Sequence, residues 1–332
     1  MNIIEATRAG TGPKARPARR DALLELLHVL ARDGYDFVTV TPGSHARVVS
    51  RPGRREARSL RDVLGWSLPF APDILPPGLL SLLRAADVIS DRPGGLLGCD
   101  IRVSCVRGAL FLHSAYPTAD YDSVFLGPDS YRFADFIAAH MGVLPAGARI
   151  MDYGAGAGVG GITAARSRSN ATATLADVNP KALFLSSINA EFAGVDHATV
   201  EASSPSAVAG EFELIVTHPP FMMDSEKRAY RDGGDLFGAR LARDWVLEGV
   251  DKLVPGGKLI LHTGVSIIDG RDVLLDLLRQ EVSGPGWKFD YHELDPDIFS
   301  EDLAEPAYVE VDVERIAAIG LCITRSPGEP SL

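Results

Sequence analysis

Hydrophobic and polar positions follow two alternating periods in the second half of the chain. Short apolar runs alternate with segments whose apolar residues recur every three or four positions. The runs predict strands at residues 149–152, 173–177, 198–201, 214–217, 258–263, 287–292 and 316–324. Helices are predicted from residue 159 and over residues 180–192, 236–253 and 272–280. This alternation is typical of an α/β fold, with a Rossmann-like, doubly wound, mainly parallel seven-stranded sheet between two layers of helices.

The first 120 residues have a mixed pattern that predicts a smaller α+β domain. The predicted elements are a helix from Asp21 (a candidate N-cap), a strand at 37–41 ended by Pro42-Gly43, helices at 60–64 and 78–86, and a β-hairpin of 101–106 and 109–113 that turns at Arg107-Gly108. Residues 1–18 are rich in helix breakers and basic groups, and we expect them to be flexible. We therefore predict an N-terminal domain at 1–120 and a second domain at 121–332.

A connecting segment leads directly into the first strand of the predicted sheet. Gly127-Pro128 favours a turn, and Asp129 or Ser130 is a candidate N-cap for a helix that runs to His140 or Met141. Ligands of such sheets bind at the carboxyl ends of the strands. We therefore expect residues 127–133 to lie beside a ligand pocket.

Composition and charge narrow the classes of function. The chain has 332 residues, of which 46% are hydrophobic, and a formal net charge of −11. Twelve Lys/Arg against seven Asp/Glu give +5 up to Asp62, so the remainder carries −16. An acidic main body argues against a broad nucleic-acid-binding face, although the arginines between residues 47 and 61 leave a smaller contact open.

The cysteines and the apolar runs bear on metal sites and location. Three cysteines without CxxC spacing suggest neither a disulfide framework nor a zinc site, and no metal is predicted. The N-terminus lacks the pattern of a signal peptide, and no uncharged apolar run reaches about 18 residues. We expect a soluble, cytoplasmic protein that does not associate with membranes.

A glycine-rich stretch follows the first predicted strand, with the sequence Asp152-Tyr153-Gly154-Ala155-Gly156-Ala157-Gly158. Strand, glycine loop and helix N-terminus together form a nucleotide-binding corner. Gly156-x-Gly158-x-x-Gly161, with Asp177 about 20 residues on, also fits a dinucleotide site and hence a dehydrogenase. The carboxylate of Asp152, however, would repel a pyrophosphate and could accept a hydrogen bond from an ammonium group. A dehydrogenase also has no need for Thr217-His218-Pro219-Pro220-Phe221 at the end of the fourth strand.

These motifs resemble the class I S-adenosylmethionine-dependent methyltransferases, in particular the small-domain group with the glutamine-amide and ribosomal-RNA guanine methyltransferases. Pro255-Gly256-Gly257 fits the turn before the fifth strand, and residues 124–133 are similar to a segment placed over the cofactor. The resemblance covers about residues 120–325. It implies S-adenosyl-L-methionine as the cofactor, with Asp152 and the glycine loop at its methionine part and Asp177 at its ribose hydroxyls. The residues assigned to the cofactor are Asp152, Tyr153, Gly154, Ala155, Gly156, Gly158, Asp177, Val178, Asn179, Ser203 and Thr217.

The fourth-strand motif departs from the family pattern, which has Asn, Asp or Ser where this chain has His218. A neutral imidazole accepts one hydrogen bond and can also act as a general base. His218 is therefore either a base for the nucleophile or a hydrogen-bonding substitute for Asn. By the resemblance, the carbonyl of Pro219 and the ring of Phe221 complete the catalytic set. Candidate substrate contacts are Tyr131, Tyr230 and Arg231.

Four functions remain open at this point, the last of them the dehydrogenase that the glycine motif also fits. The leading hypothesis is methyl transfer from S-adenosylmethionine to an N or O nucleophile of an unidentified small molecule, protein or RNA, with the N-terminal domain choosing the acceptor. The second is an intramolecular cyclisation of the cofactor that releases methylthioadenosine and an azetidine-type cyclic amino acid. The third is a non-catalytic nucleotide- or RNA-binding module. The sequence predicts neither the acceptor nor an oligomeric state.

Overall fold

The computed structural model describes residues 15–166, 170–224, 226, 228 and 230–327. Most of the segment predicted to be flexible lies outside the described residues. From Ala15 onward, however, the chain is helical, so the flexible assignment of residues 15–18 was wrong. Asp21 lies inside this helix and is not its cap. Alanine and arginine at positions 18–20 are strong helix formers, which extends the helix past the predicted start.

The described part of the N-terminal region combines four α-helices with two small antiparallel sheets. Strands β1 (Ile89–Arg92) and β2 (Leu96–Cys99) pair with each other. Strands β3 (Ile101–Val106) and β4 (Ala109–Ser114) form the predicted hairpin, whose turn residues Arg107 (φ 48°) and Gly108 (φ 73°) are both left-handed. Its elements are α1 (Ala15–Arg32), α2 (Pro42–Val49), α3 (Leu60–Leu64), α4 (Pro77–Ala85), β1 (Ile89–Arg92), β2 (Leu96–Cys99), β3 (Ile101–Val106) and β4 (Ala109–Ser114).

The strand predicted at residues 37–41 is absent. This segment is extended, but only one backbone hydrogen bond joins it to β3, from Cys105 N to Phe37 O. The N–H of Thr39 donates to the Tyr131 hydroxyl instead (2.9 Å). Pro42-Gly43 opens α2 rather than ending a strand, because Thr41 caps that helix by accepting from Ser44 N.

The remainder of the chain forms the predicted α/β sheet. The strand order is β11-β12-β9-β8-β5-β6-β7, with the short β10 pairing to β9; β5 to β9 run parallel, and β11 and β12 are antiparallel additions. The fold class predicted from the sequence is therefore confirmed. Its elements are α5 (Pro128–His140), β5 (Arg149–Tyr153), α6 (Val159–Arg166), β6 (Thr172–Asp177), α7 (Pro180–Phe192), β7 (Asp196–Glu201), β8 (Phe212–Thr217), α8 (Arg240–Val250), β9 (Leu253–Ile268), β10 (Arg271–Asp272), α9 (Val273–Glu281), β11 (Trp287–Asp295), α10 (Pro306–Val309) and β12 (Arg315–Arg325).

The larger differences from the predicted elements concern α5, α8 and the start of β9. Helix α5 begins at Pro128 after the N-cap Gly127, so Asp129 and Ser130 lie in its first turn. Helix α8 begins at Arg240 instead of residue 236, since Leu236 (φ 58°) and Phe237 (φ 57°) are left-handed and cannot belong to a right-handed helix. The turn predicted at 255–257 lies within the long β9, where the pairing to β8 shifts register.

A shared hydrophobic core joins the N-terminal region to one face of the sheet. Buried leucines of α1 and α4 belong to the same cluster as Phe133 and Ile150. Asn189 of α7 adds polar links: it accepts from Leu112 N, and it donates to Leu112 O and to Ala157 O of the glycine loop. The hairpin is thereby connected to the corner that follows β5. No helix among the described residues is both long and apolar enough to cross a membrane.

Candidate active site

The glycine loop after β5 turns the chain sharply into α6. Gly154, Gly156 and Gly158 all have positive φ (70°, 53° and 82°), a conformation that glycine adopts without strain. The next two glycines allow close packing instead. A Cβ on Gly160 would lie 2.6 Å from the Phe133 ring, and one on Gly161 would lie 2.8 Å from Leu175. The loop is therefore held close to α5 and to β6.

Two carboxylates at neighbouring strand ends hold this loop in place. Asp152 is 1% exposed and accepts from Gly161 N (2.7 Å), while Asp177 accepts from Gly156 N and Asn179 N (2.9 Å each). Burial raises the pKa of Asp152 to about 7, and burial also raises the pKa of Asp177. Each carboxylate oxygen has a further lone pair, so both groups can accept an additional hydrogen bond from a ligand.

Tyr153 and Thr217 are both buried beneath the strand ends. The Tyr153 ring packs edge-on against Trp245, with centroids 4.5 Å apart, and its hydroxyl donates to Ala202 O. Thr217 is 1% exposed and donates to the carbonyl of Tyr153 (2.8 Å). Their side chains thus position the ends of β5 and β8. Only the backbone groups of Tyr153 and Thr217 are left to face the pocket.

The residues predicted to border an adenine differ in their exposure. Val178 is 53% exposed, and Ser203 is also exposed. Asn179 caps α7 by accepting from Lys181 N and donates to Asp122 O (2.8 Å). The contact to Asp122 fixes the segment before α5 against the start of α7, on the side of the loop where Asp177 lies.

His218, directly after β8, has a defined hydrogen-bonding state. Its Nδ1 lies 2.8 Å from the carbonyl oxygen of His262, and a carbonyl can only accept, so this Nδ1 carries a hydrogen. The Nε2 of the neutral ring is therefore an acceptor. Burial lowers the pKa of His218, and the nearby Asp129 carboxylate offsets part of that effect. At neutral pH the residue is a neutral imidazole with a lone pair at Nε2.

His262 supports this arrangement from β9. It is fully buried, its ring lies 4.8 Å from that of His218 between centroids, and its Nδ1 is 3.2 Å from the His218 Nδ1. Burial lowers the pKa of His262 well below its ordinary value. His262 therefore stays neutral and accepts, which keeps the His218 hydrogen on the side facing β9.

A charged network from α5 and β11 borders His218. Asp129 is 2% exposed and is paired with Arg132 (2.9 Å), whose other terminal nitrogen binds Asp295 on β11 (2.6 Å). Burial raises the pKa of Asp129, whereas His218 in its protonated form and the Arg132 guanidinium lower it. A cleft of ≈ 180 Å³ opens beside this network. It is lined by Thr41, Arg47, Pro128, Asp129, Arg132, Asp295, Asp297, Ile298, Phe299 and Glu301.

The rest of the fourth-strand motif packs against β9 and the cleft. Pro219 is buried. The Phe221 ring covers Gly264 so closely that a Cβ there would overlap it, and the ring lies 6.0 Å from His218 and 5.9 Å from Phe299 between centroids. Phe221 therefore forms an apolar wall between the histidine and the cleft.

The three predicted substrate contacts do not converge on one point. Tyr131 faces the N-terminal region through its hydrogen bond with Thr39 N. Tyr230 donates to Thr118 O and stacks on Phe125 at 6.1 Å, and Arg231 is paired with Asp302. Tyr230 and Arg231 thus fix the loop after β8 to other segments, because their polar groups are engaged within the protein.

Sequence reasoning missed the partners of His218. Asp129 and Arg132 belong to the segment predicted to lie beside a ligand pocket, but no sequence pattern connects them with His218. Nothing in the sequence assigns a role to His262 or Asp295. These four residues come from α5, β9 and β11, which are distant in sequence. Only the register between β8 and β9, which pairs Thr217 with Leu261, could have indicated that His262 reaches the residue after β8.

Comparison with known proteins assigns the central part of this chain. Residues 134–266 match the family model described as "Methyltransferase small domain". These residues are therefore similar to a methyltransferase small domain. The match confirms, for this part of the chain, the resemblance predicted from the sequence.

The aligned regions cover only part of this chain and only part of each relative. A release factor glutamine methyltransferase from Deinococcus radiodurans is 33% identical over 162 residues, which is 45% of this chain and 54% of that protein. A ribosomal RNA small subunit methyltransferase C from Pseudomonas entomophila is 34% identical over 82 residues, 25% of this chain and 24% of that protein. The chain therefore spans about half or less of these relatives. A solved structure, the T. thermophilus 16S rRNA N2 G1207 methyltransferase with AdoMet and guanosine, is 14% identical, covers 78% of this chain and 64% of that chain, and has a TM-score of 0.42.

Proposed function

We propose that this protein transfers the methyl group of S-adenosylmethionine to a nitrogen or oxygen nucleophile of a small molecule, protein or RNA. The observation that carries the proposal is the state of His218. Its Nδ1 hydrogen is held by the carbonyl of His262, so its Nε2 lone pair is available at the strand end where the acceptor would bind. This lone pair can accept a hydrogen bond from the nucleophile and align it for in-line attack on the methyl group, or it can remove the proton of the nucleophile.

The other predicted residues have roles that fit this reaction. Asp152 would accept from the cofactor ammonium and Asp177 from its ribose hydroxyls, in addition to the backbone N–H groups that they already bind. The backbone of Tyr153, Gly154, Ala155, Gly156, Gly158 and Thr217 would shape the pocket, and Val178, Asn179 and Ser203 would border the adenine. Pro219 would offer its carbonyl, and Phe221 would pack on the acceptor.

The acceptor is the part of the reaction that the N-terminal region would determine. Thr41 and Arg47 of that region line the cleft together with Asp129, which borders His218. We infer that residues 1–120 form a cap that selects the acceptor through this cleft. Tyr131, Tyr230 and Arg231 would contribute by positioning the cap and the loop after β8, which changes their predicted role from direct contacts to supporting ones.

A product assay by mass spectrometry tests the proposal. The protein is incubated with S-adenosylmethionine alone and with separate small-molecule, protein and RNA fractions of a cell extract. We expect S-adenosylhomocysteine only where one fraction supplies the acceptor. Methylthioadenosine formed from the cofactor alone would instead support the cyclisation, for which His218 Nε2 could also serve as the base. Absence of both products in every fraction would overturn the catalytic proposal.

A further inference from the structure

A cluster of two histidines and one aspartate lies at the end of α5 opposite Asp129. His140 is the last residue of that helix, and Asp290 and His292 are alternate residues of β11, so their side chains share one face of the strand. Their potential ligand atoms all lie within 4.8 Å of one another. We propose that His140, Asp290 and His292 bind one divalent transition metal ion of the zinc type.

The hydrogen bonding of His140 supports a cation at this point. Its Nδ1 lies 3.0 Å from the carbonyl of Phe136, which can only accept, so Nδ1 carries the hydrogen. In the neutral tautomer that this bond defines, Nε2 carries the lone pair and lies 4.0 Å from the Asp290 carboxylate. A cation between these two acceptors would satisfy both. A backbone carbonyl that orients the other ring nitrogen is the usual outer support of a metal-bound histidine.

Packing against Phe136 holds the ring of His140 in place. It stacks on Phe136 with centroids 4.0 Å apart, and Phe136 covers Gly320 of β12, where a Cβ would lie only 2.6 Å from the ring. His292 Nε2 lies 3.0 Å from Asp290 and donates to its carboxylate, and binding of a metal ion would displace that hydrogen. Tetrahedral zinc sites have ligand atoms about 3.4 Å apart, given metal–ligand distances of about 2.1 Å. The separations of 3.0 and 4.0 Å lie on either side of that value, and the half-exposed side chains of Asp290 and His292 can close the difference.

The ligand set points to zinc rather than to magnesium or calcium. Two imidazoles and one carboxylate suit borderline ions, whereas hard cations require oxygen ligands. The bound ion would join α5 to β11 at one end, as the Arg132–Asp295 ion pair does at the other. Lys258, which approaches the same helix end, donates to the backbone carbonyl of His140 and leaves its imidazole free. The proposal is independent of the methyl-transfer reaction.

Calorimetric titration of the full chain, without any histidine tag, tests this site. Zn²⁺ is titrated into the wild type, His292→Gln and Asp290→Asn, with His28→Gln as the matched control, because His28 is an exposed histidine on α1. We expect one Zn²⁺ per chain for the wild type and the control, and affinity lower by at least about tenfold in both β11 variants. Co²⁺ in place of zinc should give the visible absorption of a low-coordinate site.

Both β11 variants change exposed side chains of an edge strand, so neither substitution should disturb the fold. Their circular dichroism and thermal unfolding without zinc should match the wild type, which separates loss of a ligand from loss of the fold. Absence of zinc binding to the wild type would overturn the proposal. So would zinc binding that neither β11 substitution weakens, or that the control substitution weakens equally.

Discussion

The cofactor corner and the acceptor side of this site are built in different ways. In the corner, the carboxylates of Asp152 and Asp177 accept from backbone N–H groups of the glycine loop, and the geometry follows from a short stretch of chain. On the acceptor side, His218 depends on His262 and Asp129, which come from β9 and α5. The corner relies on backbone groups that many sequences can supply, whereas the acceptor side relies on particular side chains brought together by the whole fold.

This difference teaches that binding the cofactor and using it are separable properties of the molecule. Substitutions in the corner should weaken cofactor binding, and substitutions around His218 should affect the transfer step.

The largest effect is expected for His218→Ala. Loss of the Nε2 acceptor should lower the rate of methyl transfer by about 10²–10⁴-fold, the range for a positioned proton acceptor, with unchanged affinity for S-adenosylmethionine. The rate is measured as S-adenosylhomocysteine formation with the acceptor fraction, and affinity by calorimetry. An equal fall in cofactor affinity would break the division between the two sides.

The pH dependence of His218→Asn decides between a base and a hydrogen-bonding role. The neutral imidazole is the active form, and burial lowers its pKa below the ordinary value. At saturating S-adenosylmethionine, the wild-type rate should therefore fall only as the pH drops below about 6.5 and stay level above it. If His218 is a base, the His218→Asn variant transfers the methyl group slowly, and its rate no longer falls at low pH. An unchanged rate and profile would contradict the base role.

Asp152→Asn should weaken cofactor binding by about 10–100-fold at pH 7.5, the cost of one charge-assisted hydrogen bond. In the wild type, affinity should rise between pH 6 and 7.5 as the carboxyl, whose pKa is about 7, ionises. The α-amino group of the cofactor has an ordinary pKa of about 7.7–8.0, so more than half of it stays protonated between pH 6 and 7.5. The variant should lose the pH dependence and keep its thermal stability, since the asparagine oxygen still accepts from Gly161 N. A pH dependence that survives in the variant would contradict this role.

Gly264→Ala should displace Phe221, because the new methyl group would overlap its ring. We expect the free energy of unfolding to fall by about 1–3 kcal/mol, as for overpacked cores, and methyl transfer to slow while the cofactor still binds. Gly286→Ala is the control, as no atom lies within 4 Å of a Cβ at that position. Equal stabilities of the two variants in denaturant titrations would contradict the packing of Phe221.

Among the substitutions near His218, the smallest effect is expected for Arg132→Gln. It leaves the buried Asp129 without its cation, and we expect a loss of about 1 kcal/mol, because the carboxyl can take up a proton in compensation. Arg107→Gln removes the exposed ion pair with Asp135 and should cost less than about 0.5 kcal/mol. Denaturant unfolding of both variants gives the comparison. An equal cost for both would show that the network at Asp129 adds nothing beyond a surface pair.

The sequence was most informative where structure depends on adjacent residues. The strands of the large sheet, the hairpin at Arg107-Gly108 and the glycine loop all follow from local periodicity and turn chemistry, and they were confirmed. The start of α8 was missed because Leu236 and Phe237 adopt left-handed conformations that their side chains do not favour. Residues 37–41 resemble a strand, but Tyr131 takes one of the hydrogen bonds that a ladder would need. The partners of His218 could not be predicted, because three elements distant in sequence supply them.

Equilibrium titration of S-adenosylmethionine into the wild type, Asp177→Ala and His218→Ala tests whether cofactor binding depends on the corner and not on His218. Asp177 supplies acceptors only to the corner, and His218 contributes only to the acceptor side. We predict saturable binding of one cofactor per wild-type chain, a loss of about 100-fold in Asp177→Ala from two charge-assisted hydrogen bonds, and wild-type affinity in His218→Ala. Failure of the wild type to bind the cofactor, or an equal loss in both variants, would contradict the account.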